Sequence, residues 1–146
     1  MTVALDCEQV ARRLSQAVPD SVLSLEKSAI VVKGEKLKEV AGFLKGDPDF
    51  SFDYLANLTA VDYLDRFEVV YHLVSLTHNH SLVLKVRCYE RLKPTVPSVV
   101  GVWRAADFQE REVYDLMGIV FQGHPNLKRL FLWEDFAGHP LRKDYL

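Results

Sequence analysis

The sequence predicts an α+β fold: a two-layer α/β sandwich with helices on one face of a mixed or antiparallel sheet. The expected order is α-β-β-α-β-β-β-α, followed by an extended C-terminal tail. Three observations carry this reading. Two amphipathic helical stretches occupy the first half of the chain. The segments 67–76 and 81–89 alternate apolar and polar residues at period two across a short polar loop. The last third is broken by Gly and Pro too often for long regular elements. A chain of 146 residues is expected to form one unit. It buries enough of its unfolded surface, roughly 70%, to need no metal or disulfide for folding.

Asp6-Cys7-Glu8-Gln9 reads as a capping box in which Asp6 accepts from the Gln9 N–H. Val10, Leu14, Ala17 and Val18 follow at helical spacing until Pro19 stops the helix. Residues 22–26 and 29–33 read as two strands around the polar turn Glu26-Lys27-Ser28, and Gly34 ends the second. Leu37, Val40, Ala41 and Leu44 then mark an amphipathic helix with Gly46 as its C′ residue. Asp47-Pro48-Asp49 is a turn, and 50–58 is expected as a strand with Phe50, Phe52 and Tyr54 on one side. The hairpin 67–76/81–89 places Leu82, Leu84, Val86 and Cys88 on one face and Val83, Lys85, Arg87 and Tyr89 on the other, with 77–80 as its loop. Residues 91–101, with Pro94 and Pro97, read as a linker. Asp107-Phe108-Gln109-Glu110 reads as a second capping box, opening a helix that Gly118 terminates. The division that follows is a body over 1–102 and a C-terminal helix plus docking tail over 103–146, with no independent second domain.

Composition bounds the function. Hydrophobic residues make up 49% and charged residues 26%, and a net charge of −2 gives no overall attraction to nucleic acid or anionic membrane. Cys7 and Cys88 stand far apart without a Cys-x-x-Cys partner, as in a reducing compartment, with both thiols buried or inert. No apolar run has the length of a membrane span. Asp6 and Glu8 stand where a signal peptide carries Lys or Arg, so export is not expected.

The informative region is the last third. Residues 103–146 hold both tryptophans, eight of the sixteen aromatics and two Gly-His-Pro tripeptides, at 123–125 and 138–140. In the helix, Arg111 and Asp115 are i, i+4 neighbours and are expected to pair, while Glu110 takes the capping role and Glu112 points elsewhere. His124 and His139 match no zinc spacing, and they are expected to fix turns by hydrogen bonding. No Gly-x-Ser-x-Gly elbow and no phosphate-binding loop occurs, and two cysteines cannot hold a Cys-only iron–sulfur cluster. What remains is a docking surface. Trp103, Phe108, Tyr114, Phe121, Phe131, Trp133 and Phe136 are large anchors interleaved with Arg104, Lys128, Arg129, Arg142 and Lys143. Aromatic and Arg enrichment marks interface cores, yet the same aromatics also suit the filling of this chain's own core. The residues alone leave both readings open.

The run from Glu110 to Leu130 and the closing segment from Gly138 to Tyr145 resemble the signature of the thirty-kilodalton subunit family of respiratory complex I, found in bacterial NADH:quinone oxidoreductases. The residues that carry the resemblance are Glu110-Arg111-Glu112, Asp115, Gly118-Ile119, Phe121, Gly123-His124-Pro125, Leu127, Arg129 and Gly138-His139-Pro140-Leu141-Arg142-Lys143-Asp144-Tyr145. Met117 stands where the family often has Phe, and Phe131 where a smaller aliphatic is usual; both changes keep the site apolar. The chain stops at Leu146, whereas many relatives continue, which fits a short natural form and a trimmed one equally.

The resemblance implies a non-catalytic structural subunit of the peripheral arm of a proton-translocating complex, on the cytoplasmic side of the cell membrane and reaching the membrane only through that complex. NADH, FMN, iron–sulfur clusters and quinone would belong to partner subunits. The main partner would be the forty-nine-kilodalton subunit, which helps form the quinone site. Docking would fall to Glu110, Arg111, Glu112, Asp115, His124, Arg129, His139, Arg142, Lys143 and Asp144, with Arg142 and Lys143 pairing with partner carboxylates. An isolated copy would accept a second copy on the same surface. The related alternative is the equivalent subunit of a membrane-bound hydrogenase or formate hydrogenlyase. A stand-alone enzyme built on His124 and His139 lacks a visible nucleophile–base set.

Overall fold

The computed structural model describes residues 2–128 and 138–142. The elements run β1 (Val3–Ala4), α1 (Cys7–Ala17), β2 (Val22–Glu26), β3 (Ala29–Val32), a 3-10 turn (Gly34–Lys36), α2 (Leu37–Gly46), β4 (Tyr54–Asp62), β5 (Phe67–Ser75), β6 (His80–Cys88), β7 (Thr95–Pro97), α3 (Ala106–Met117) and β8 (Val120–Gln122). Helix α1 starts at Asp6 as expected, but its carboxylate accepts from the Glu8 N–H at 3.1 Å rather than from Gln9. A short Asp side chain serves either of these amides equally well. The Val18 N–H closes α1 on the Leu14 carbonyl, and Pro19 follows.

The main sheet is mixed, in the order β2-β3-β6-β5-β4. β4–β5–β6 is an antiparallel meander, whereas β3 runs parallel to β6, a crossover that α2 supplies. β1 also pairs parallel with β6, through Val3–His80, so β1 and β3 lie end to end along one edge of β6. Period two then sorts the side chains. Ile30, Val32, Phe67, Val69, Tyr71, Leu73, Leu82, Leu84 and Val86 are buried and share one core with residues of all three helices. On the opposite face, Glu68 is only 2% exposed and is held by Arg66 Nε at 3.0 Å and Arg87 Nε at 3.2 Å. Glu26 beside it accepts from Lys85 Nζ at 2.7 Å and Arg87 Nη2 at 3.1 Å. The Lys85 hydrogen bond is the main reason that the Glu26 carboxyl lies below its ordinary range. Cys7 and Cys88 are half-buried free thiols, and burial pushes the Cys7 thiol up, away from reactivity.

Four expectations need correction. Gly46 is the last helical residue of α2, not its C′ residue; the cap falls on Asp47, whose side chain accepts from the Asp49 N–H and pairs with Arg13. The strand expected over 50–58 begins at Tyr54 and continues to Asp62. Phe50 and Phe52 lie in the preceding turn, both buried, whereas Tyr54 is 46% exposed. The hairpin loop is 76–79, with His80 already in β6. The segment read as a linker holds β7, which pairs parallel with β8, unforeseen in the tail. Pro97 is tolerated because, among the described residues, each strand of this ladder pairs on one edge only.

Candidate partner-docking site

Helix α3 carries the densest part of the motif, and its N-terminus departs from the capping-box reading. The cap residue is Ala105, with no side-chain cap. Gln109 instead reaches across to β4, where its Oε1 accepts from the Leu58 N–H at 2.6 Å, while its Nε2 donates to the Ala105 carbonyl at 3.1 Å. Glu110 is fully buried and accepts from Ser98 Oγ at 2.6 Å and the Val99 N–H at 2.8 Å. It therefore pins the turn after β7 rather than the start of its own helix. Burial raises the Glu110 pKa, and the bonds from Ser98 and Val99 act against that shift. The Tyr71 phenol, also fully buried, is pushed well up by burial and then by the charge of Glu110.

Most of the C-terminus of α3 is closed by residues that lie more than twenty positions further along the chain. The last four carbonyls of an α-helix have no partner within it. Here all four are satisfied. Tyr114 O accepts from the Gly118 N–H at 2.9 Å, and Leu116 O from the Leu141 N–H at 2.9 Å. Asp115 O accepts from His139 Nδ1 at 3.1 Å, and Met117 O from Arg142 Nε at 2.6 Å. A carbonyl only accepts, so His139 carries a proton on Nδ1. The Arg142 guanidinium also complements the negative end of the helix dipole. It lies 5.1 Å from the centroid of the Phe67 ring, which Arg91 approaches at 4.7 Å while pairing with Asp62 through two hydrogen bonds. Gly118 makes the closure possible. It has φ +78°, and a Cβ there would lie 2.7 Å from His139 Cδ2 and 2.8 Å from Arg142 Nη2.

The first Gly-His-Pro turn holds the other end of α3. Asn126 N–H donates to His124 Nδ1 at 2.9 Å, which leaves the proton on Nε2 to donate to the Asp107 carbonyl at 3.2 Å. The two tripeptides thus bracket one helix, His124 at its first turn and His139 at its last. The expectation that these histidines fix turns by hydrogen bonding holds for both. Sequence reasoning missed that both turns address the same helix, since spacings of 17 and 24 residues between partners carry no local signal.

Arg111 and Asp115 do not form the expected pair: Asp115 faces inward and is fully buried. The Arg111 guanidinium lies 5.6 Å from the Phe108 ring centroid, with Nε at 3.5 Å from the Lys128 carbonyl. Of the expected docking residues, Glu110, Asp115, His124, His139 and Arg142 are engaged within the chain. Glu112 is exposed and Arg111 half-buried. Arg129, Lys143 and Asp144 lie outside the described residues, as do Phe131, Trp133 and Phe136. Among the other expected anchors, Trp103 and Phe121 are buried at 3% and 1% exposure and fill this chain's own core, whereas Phe108 is 63% exposed. Trp103 Nε1 donates to the Phe52 carbonyl at 2.8 Å. Trp103→Phe is expected to cost about 2–3 kcal/mol by leaving that carbonyl buried without a donor, measured as a lower midpoint in urea with an unchanged slope.

Among the described residues no group of three or more His, Cys, Asp or Glu is placed to hold a metal ion, and no helix is long and apolar enough to cross a membrane. The family described as respiratory-chain NADH dehydrogenase, 30 Kd subunit, matches residues 30–146. The C subunit of NADH-quinone oxidoreductase from Roseiflexus sp. (strain RS-1) is 46% identical over 149 residues, spanning 97% of this chain and 85% of its own length. The corresponding protein of Herpetosiphon aurantiacus is 38% identical over 146 residues, with the same 97% and 85% coverage. Among solved structures, the trypsin-resistant fragment 1–134 of Nqo5 has a TM-score of 0.66 at 34% identity, covering 82% of this chain and 99% of that one. A chain of the membrane-bound sulfane sulfur reductase, an archaeal respiratory membrane complex, has a TM-score of 0.77 at 23% identity, covering 94% and 84%, which is a likeness of fold.

Proposed function

Given that the chain belongs to the 30 Kd subunit family of the respiratory-chain NADH dehydrogenase, we propose that it is a non-catalytic structural subunit of the peripheral arm that docks on the forty-nine-kilodalton, quinone-site-forming subunit from the cytoplasmic side. Electron transfer then belongs to partner subunits that hold the flavin, the iron–sulfur clusters and the quinone. The domain's task is to present a rigid face. The observation that supports this most is the closure of α3: with its last four carbonyls satisfied from within the chain, the helix offers Phe108, Arg111 and Glu112 outward without needing the partner to hold its shape. Such preorganisation lowers the ordering cost of association. Arg129, Lys143 and Asp144 extend the proposed contact into the tail. Residues 103–146 form the docking part of a single structural unit with the body over 1–102.

Purification of the native complex through an affinity tag on this chain tests the reading. The expected result is recovery of the large quinone-site subunit together with NADH:quinone reductase activity. Recovery with a nickel-bearing large subunit would move the chain to a hydrogenase-type complex, and recovery of the chain alone would refute docking. Phe108→Ser combined with Glu112→Lys is expected to leave the thermal midpoint of the isolated domain within about 2 °C, because both side chains are exposed. The same pair is expected to reduce recovery of the large subunit at least tenfold.

A further inference from the structure

We propose that the outer edge of β4 is a second docking site, taken by an extended strand of a neighbouring subunit that adds to the sheet beside α3. This rests on the reading of the chain as a subunit, but not on which subunit its tail engages. Among the described residues, β4 is the last strand of the main sheet. In an antiparallel pair, alternate residues direct their N–H and C=O away from the partner strand. The Tyr63 N–H donates to the Arg66 carbonyl at the hairpin end, so Val61, Thr59 and Asn57 bond inward to β5 while Asp62, Ala60 and Leu58 point outward. The Leu58 N–H is taken by Gln109. The N–H and C=O of Ala60 have no partner among the described residues. An open backbone pair of this kind selects an extended chain rather than a helix.

The side chains around this opening define what the strand must carry. Ala60 lies in two adjoining grooves between the β4 edge and α3. Val61, Leu116, Met117 and Leu141 line them as apolar wall, and Glu112 supplies a carboxylate at one end. Leu141 is 60% exposed, although its own N–H is fixed on the Leu116 carbonyl, so an apolar side chain is held in water by the closure of α3. The fitting occupant is a strand with aliphatic residues at alternate positions against Leu116 and Leu141 and a Lys or Arg aligned with Glu112. The Glu112 carboxylate calls for a cation, and the open N–H and C=O of Ala60 call for extended backbone; a basic, aliphatic strand meets both demands.

Hydrogen exchange in the intact complex and in the isolated domain tests this directly. The Ala60 amide is expected to exchange freely in the isolated chain and at least a hundredfold more slowly in the complex. Ala60→Pro removes the outward N–H while leaving the ladder to β5 intact, a position where an edge strand accepts proline. It is expected to weaken incorporation into the complex at least tenfold, with the domain still folded. Unchanged exchange at Ala60 on assembly overturns the proposal, as does full incorporation of Ala60→Pro. Should the Pro variant fail to fold, the exchange measurement on the unmodified chain decides alone. Protection that rises with the isolated chain's own concentration assigns the edge to a second copy and also overturns it. Recovery of the large quinone-site subunit by a Phe108→Ser variant, whose side chain lines neither groove, bears on the first reading and not on this edge, so the two readings fail separately.

Discussion

Gly118→Ala is expected to destabilise the domain by about 3–4 kcal/mol, far more than a glycine substitution ordinarily costs. The left-handed conformation at φ +78° accounts for about 1–2 kcal/mol of this in any L residue. The rest comes from the closure of α3. A Cβ at this position meets His139 Cδ2 at 2.7 Å and Arg142 Nη2 at 2.8 Å. Ends of long side chains usually swing away cheaply, but these two are tied to the Asp115 and Met117 carbonyls. Displacing them releases those bonds, each worth about 1 kcal/mol net. Gly123→Ala is the control: φ is +88° and nothing among the described residues lies within 4 Å of its added Cβ, so only the conformational cost applies. The difference between the two thermal midpoints, expected at about 5–10 °C for a domain of this size, reports the closure. Arg142→Ala should reproduce part of the same loss, and its effect should not add in full to that of Gly118→Ala. The sequence alone predicts that replacing Arg142 and Lys143 together by alanine weakens assembly and leaves the isolated fold intact; the Arg142 half of that prediction changes. The place of Arg142 against Met117 and Phe67 makes its replacement destabilising to the fold as well.

Glu110→Ala is expected to cost about 3–5 kcal/mol, because it leaves the Ser98 hydroxyl and Val99 N–H buried without an acceptor and opens a cavity. Glu110→Gln keeps an acceptor for Val99 and should cost less than about 1.5 kcal/mol at neutral pH. The pH dependence separates the two further. The Glu110 pKa is raised in the folded chain. In the window between its ordinary carboxyl value and its folded value, the folded state binds more protons than the unfolded state, so stability falls as pH rises through that window and then levels off. Glu26 behaves oppositely. Its pKa is lowered, so its contribution is present above the ordinary carboxyl value and is lost as pH falls through the folded one. Its window therefore lies below that of Glu110. Urea titrations at a series of pH values should show a decline on the alkaline side of the ordinary Glu value in the unmodified chain, and none in Glu110→Gln.

Much of the body was legible because its signals are local and strong. The amphipathic spacing of Val10, Leu14 and Val18 and of Leu37, Val40, Ala41 and Leu44, the stop at Pro19, and the alternation through 67–88 each concern neighbours in sequence. Phe50 and Phe52 misplaced the start of β4 because burial at period two looks alike in a strand and in a turn held by Asp47. β7 and β8 were hidden by their three-residue length and by Pro97. The docking segment was legible as a motif but not as geometry. Asp107-Phe108-Gln109-Glu110 has capping-box spacing, yet Gln109 and Glu110 are committed to β4 and to the turn after β7, contacts 51 and 12 residues away. No helical period announces such partners. The pairing of Gly118 with Gly138-His139-Pro140-Leu141-Arg142 is likewise a long-range fit, and only the presence of His and Arg, both suited to a helix C-terminus, hinted at it.

Cross-linking of lysines in the intact native complex tests most directly whether this face meets the partner. Lys128 sits beside Arg111 at the outer side of α3, and Lys143 follows the segment that closes the helix. The expected result is that both cross-link to the large quinone-site subunit, and that Phe108→Ser with Glu112→Lys abolishes those links while the domain stays folded. Links from both lysines confined to this chain, in a fully assembled and active particle, would contradict it.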